Sequence, residues 1–208
     1  MSRKSRMAIS LLLWLATVLW PEPAHAHLVT TGLGPLYDGL AHFALTPEDL
    51  IPTLALSLLA GLRGPSHSRR VLFVLPSIWA LAATLALLTP DLAKTLPIST
   101  PLATSLSFVV LGALLATDTH LPLVATTAVA TMLGSLHGYL NGAAMAQAAL
   151  GIIAILGIAT AVFTLVALAS STVVPLQASW ARLAIRVTGS WIAAIGLLLV
   201  GWSLRPTG

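Results

Sequence analysis

From residue 48 onward the chain is a succession of long apolar stretches separated by short polar breaks. Six of them, at 48–62, 71–89, 101–117, 120–140, 146–170 and 185–204, read as membrane spans. Only 8% of the 208 residues are charged, against about 25% in soluble domains. A soluble core of this size could not bury so much apolar surface, and a bilayer is the natural solvent for it. The expected fold is therefore all-α, a polytopic membrane helix bundle of about six transmembrane helices.

Residues 1–26 have the form of an export signal. Arg3, Lys4 and Arg6 precede the short apolar run "MAISLLLWLATVLW", Pro21 and Pro23 break it, and "AHA" closes it. This is the order of basic region, apolar region and small-residue cleavage site. The expected organisation is thus a signal peptide at 1–26 and one six-helix transmembrane domain at 27–208, in which 27–47 is an outer-face segment leading into the first span. With the mature N-terminus outside, Arg63, Arg69, Arg70, Arg182 and Arg186 fall on the cytoplasmic side and Lys94 and Arg205 on the other. That bias follows the positive-inside rule. The expected location is the inner membrane of a bacterium, with a periplasmic N-terminus.

Other classes find little support. The chain has no cysteine, so disulfides and thiolate metal sites are excluded. Its net charge of +4 is spread over loops and not gathered into a nucleic-acid patch. No metalloprotease, hydrolase or phosphate-loop motif occurs, and an enzyme is not expected. The spans are rich in Ala, Gly, Ser and Thr, as in "GIIAILGIAT", which lets helices approach closely.

Ionisable residues in or beside a span are costly unless paired, hydrated or metal-bound. Glu48 and Asp49 begin the first span. His137 lies near the end of the fourth, which runs outward, and Asn141 follows it at i+4 on the same helix face. Asp38 and His42 share that spacing just before the first span. All of these fall near one depth, at the outer interface. Imidazole and carboxylate together suit a divalent transition metal such as Ni, Co, Zn or Cu. Cleavage after Ala26 would make His27 the N-terminus, whose amine and ring can also chelate. A plainer reading stands beside this one. "TPED" is an ordinary helix start, with Thr46 as N-cap, Pro47 at N1 and acids in the first turn. His137 could simply bond a neighbouring helix, His67 reads as a solvated loop residue, and Asp118 and His120 read as a short loop.

These residues carry a resemblance. The sequence resembles the HupE/UreJ family of small bacterial membrane proteins, implicated in nickel and sometimes cobalt uptake beside hydrogenase and urease genes. The family's first-span motif is approximately H-P-x-x-G-x-D-H before an apolar helix. In "HFALTPEDLIPTLALSLLAGL" His42 takes the place of the first histidine, Glu48 that of the aspartate and Asp49 that of the second histidine. The fourth-span motif is roughly F-H-G-x-A-H-G-x-E. "LHGYLNGAA" keeps His137 and Gly138, while Asn141 replaces the second histidine and Ala144 the glutamate. The chain looks like a divergent branch of the family, similar to the second HupE/UreJ group.

The resemblance implies an inner-membrane permease for a nickel- or cobalt-type divalent metal, or its metal-binding component. The site would draw on His42, Glu48, Asp49 and His137, with Asp38, Asn141 and His27 as further candidates. The alternative is a membrane metallochaperone or assembly factor that holds the ion for a metalloenzyme. The expected partners are the bilayer, the metal ion, a second copy of the chain or a metalloenzyme under maturation. The oxygen-richer ligand set implies weaker nickel binding than a poly-histidine site.

Overall fold

The structure, a computed structural model, describes residues 30–89 and 100–205. The expected signal peptide, His27 and Lys94 lie outside the described residues. The described part is helical: α1 Pro35–Leu45, α2 Pro47–Arg63, α3 Pro65–Leu88, α4 Thr100–Ala116, α5 Leu123–Gln147, α6 Gly151–Val173 and α7 Ser179–Ser203.

Four helices, α3, α5, α6 and α7, are long and apolar enough to cross a membrane. The pair α1 and α2 meets the same test as one unit bent by 73° at Thr46. The apolar α4 has 17 residues, about 25 Å of helix against a hydrocarbon core of about 30 Å. The segment expected as an outer-face lead-in is therefore helical from Pro35. It packs along α6, where Gly39 meets the backbone of Ala154 and Gly157 meets that of Leu36.

Two further differences from the sequence reading concern where helices start and stop. "RGPSHSRR" reads as a loop, yet α3 begins at Pro65 and its basic residues lie on its first turns. "NGAA" reads as a break, yet α5 continues through it to Gln147. Glycine punctuates helices in water, but in a bilayer it also serves as a contact surface. The stop between α2 and α3 does use glycine in the ordinary way. Gly64 has φ 99, a left-handed conformation, and Pro65 follows at the first helical position.

Small residues set the closest helix approaches. Gly134, Gly138 and Gly142 recur every fourth residue on α5 and lie against the backbone at Leu75, Trp79 and Ala83 of α3. A methyl group at Gly138 or Gly142 would collide with main-chain atoms. Gly112 of α4 and Gly189 of α7 make a similar contact, Gly112 against Ala193 and Gly189 against Ala116. The core between these pairs is filled by Leu56, Leu59, Leu75, Trp79, Phe108, Ile155 and Ile158.

The two ends of the bundle differ chemically. At one end Asp118, in a left-handed backbone conformation (φ 52) after α4, pairs with Arg63 and, at 3.3 Å, with Arg182. Arg186 donates to the carbonyl of Ala116 at 2.9 Å. His67, expected as a solvated loop residue, is half-buried in the first turn of α3 and bonds the Leu121 carbonyl at 3.2 Å. This arginine-rich end ties α2, α3, α4 and α7 to the 117–122 turn. The other end holds the N-terminus of α2 and the later half of α5.

Candidate metal site

The break at Thr46 builds this end. Proline disfavours helical backbone in the residue before it, and Thr46 is extended (φ −103, ψ 96). α1 therefore stops and α2 starts in a new direction. Thr46 occupies the N-cap position as the sequence implies, but its hydroxyl does not cap α2. It donates instead to the His42 carbonyl at 2.6 Å, pinning the end of α1.

The two acids of the first turn part company. Glu48 is exposed, the position expected of a first-turn acid that complements the helix dipole. Asp49 is 3% exposed and faces α5. Its Oδ1 lies 2.8 Å from Nδ1 of His137, and its Oδ2 accepts from the side-chain amide of Asn141 at 2.8 Å. His137 and Asn141 lie one turn apart on α5, so both reach one carboxylate. The structure thus brings together Asp49, His137 and Asn141 of the sequence candidates.

Ser107 donates its hydroxyl proton to the Thr104 carbonyl at 2.6 Å, and its Oγ lies 3.1 Å from Nε2 of His137. On the other side of the ring Nδ1 faces Oδ1 of Asp49, and a proton is shared between them. Asn141 must face Asp49 with its NH2 group, because the reverse orientation would set two acceptors against each other.

That orientation leaves the Asn141 Oδ1 buried without a hydrogen-bond partner among the described residues. The hydroxyl of Thr53, one turn after Asp49 and also fully buried, has none either. Pro52 lacks an N–H and so frees the carbonyl of Glu48 from the helix ladder. Buried acceptors of this kind are normally satisfied by water, protein or an ion. Asn141 Oδ1 belongs to the side chain that bonds Asp49, and Thr53 stands one turn after Asp49 on α2. Trp79 closes one side, its ring centroid 5.6 Å from that of His137, and Phe43 stacks edge-on against Trp79 at 5.8 Å.

The remaining candidates lie elsewhere. His42 is half-buried on the last turn of α1, within electrostatic reach of Asp49 and Glu48. Asp38 is buried and accepts from the backbone N–H and hydroxyl of Thr31 at 2.6 and 2.7 Å, which fastens the chain entering α1. Among the described residues no three His, Asp or Glu side chains converge as a ready ligand set. Ser107, Thr53 and Trp79 complete the surroundings and carry no motif of their own. Only Thr53 had a signal, its i+4 spacing from Asp49.

No curated protein and no solved structure matches the chain. The family model described as HupE / UreJ protein matches residues 15–199, which include the helix break, Asp49, His137 and Asn141. That match extends over most of the sequence, and the chain belongs to the HupE/UreJ family.

Proposed function

We propose that this multi-pass membrane protein is a permease, or the metal-binding component of one, for a divalent transition metal, and that it is not an enzyme. Its family is associated with nickel or cobalt transport and with urease or hydrogenase maturation. The observation that carries the reading is the buried Asp49–His137 pair at a helix break, with the open Asn141 Oδ1 beside it. Imidazole nitrogen and carboxylate oxygen are ligands for such ions. An arriving cation would take the position of the shared proton, so binding releases a proton and weakens as pH falls. Asp49, His137 and the Asn141 amide oxygen are the proposed ligands, with His42 at the entrance. Asn141 and Asp49 make the ligand set richer in oxygen than clustered histidines would, so nickel binds less tightly here than at a poly-histidine site.

The test has two parts. Cells expressing the wild type should accumulate nickel or cobalt, whereas Asp49→Asn and His137→Ala at equal protein levels should not. Uptake unchanged in both variants would refute the assignment. Purified protein in liposomes should then pass the ion across the bilayer. Binding without passage would favour delivery to a metalloenzyme over transport.

A further inference from the structure

We propose that the groove between the first turns of α3 and the start of α5 seats the headgroup of an anionic phospholipid. The groove has a volume of about 380 Å³ and is lined by Ser66, Arg69, Arg70, Phe73, Val74 and Leu123. It opens at the arginine-rich end of the bundle, the level of a membrane interface.

The pairing of the arginines singles it out. At this end Arg63 and Arg182 share Asp118, and Arg186 holds the Ala116 carbonyl. Arg69 and Arg70 remain, both exposed and without a carboxylate partner among the described residues. Both line the same groove. Guanidinium groups there match a phosphodiester in charge and in hydrogen-bond geometry.

The lower lining decides which anion fits. Phe73, which is 62% exposed, lies with Val74 and Leu123 directly beside the guanidinium groups. A free phosphate would use the arginines and leave this apolar surface uncovered. A lipid with an anionic head and an acyl chain covers both, and basic pockets between helices at the membrane interface bind such lipids.

The experiment is native mass spectrometry and thermal unfolding of the full chain in detergent with phosphatidylglycerol, phosphatidylcholine or inorganic phosphate added. The wild type should retain phosphatidylglycerol in preference to phosphatidylcholine and unfold at a higher temperature with it. Retention should fall as salt is raised. Arg69→Gln/Arg70→Gln should bind phosphatidylglycerol about thirtyfold less tightly, the factor corresponding to about 1 kcal/mol for each basic residue. Arg205→Gln, which alters the opposite end of α7, should bind like the wild type. Equal retention by the double variant, salt-independent retention, or displacement of the lipid by equimolar phosphate would each overturn the proposal.

Discussion

Asn141 of α5 donates its side-chain amide to Oδ2 of Asp49 in α2 over 2.8 Å, 92 positions apart in the chain. The bond leaves one carboxylate oxygen to His137 and commits the other to an amide. It also fixes which end of the Asn141 side chain is open.

Asp49 and Glu48 should behave differently although they are adjacent. Asp49→Asn keeps one acceptor oxygen but sets an NH2 group against His137 or Asn141, so one of the two buried donors loses its acceptor, which should cost about 3 kcal/mol. Glu48→Gln changes an exposed side chain and should leave the unfolding midpoint in detergent where it was. Thermal unfolding of the two purified variants checks this, and equal losses would contradict the burial difference.

Asn141→Leu fills similar space but removes the donor to Asp49. Loss of a hydrogen bond to a charged group predicts a destabilisation of about 1.5–3 kcal/mol. Metal affinity should fall as well, because the open amide oxygen disappears with the donor. Calorimetric titration with cobalt before and after the change measures the second effect. An unaltered affinity would remove Asn141 from the ligand set.

At the opposite end the ion pairs are unequal. The Arg63 side chain is 5% exposed and that of Arg182 39%. Asp118→Asn strands a buried guanidinium and should cost about 3–5 kcal/mol. Arg182→Gln removes a half-exposed partner and should cost at most about 1 kcal/mol. Denaturant titration in mixed micelles should separate the two by at least a factor of three in free energy.

Gly138→Ala places a methyl group against the backbone of Trp79. Overpacking of this kind costs about 1–3 kcal/mol, and here it also levers His137 away from α2. The variant should therefore lose metal binding out of proportion to its loss of stability. Gly201→Ala meets open space and serves as the silent comparison.

Much of this arrangement is legible in the sequence because span direction fixes depth. First and fourth spans that run in opposite directions can bring the start of one and the end of the other, and so Asp49 and His137, to one level, whatever the loops do. Depth is not direction, however. Glu48 and Asp49 differ by about 100° around the helix, and which of them faces inward depends on how α2 packs against α4 and α6. The same limit hides Ser107, an ordinary hydroxyl until α4 is set against His137. The helix at Pro35–Leu45 escapes notice because its glycine and buried aspartate look like loop chemistry. Only contact with α6 gives Gly39 a packing role.

The glycine row of α5 has a consequence for how the site can move. Gly134, Gly138 and Gly142 repeat every fourth residue, and His137 and Asn141 each stand just before one of them. A slip of one residue along α3 would turn the ligands by about 100° and drive Cβ atoms into its backbone. The glycines find new seats only after a shift of four residues, about 6 Å of helix. The sliding coordinate between α3 and α5 is therefore stepped. Small displacements are resisted, and any change that carried His137 to a different depth would have to occur as a single jump of about one turn.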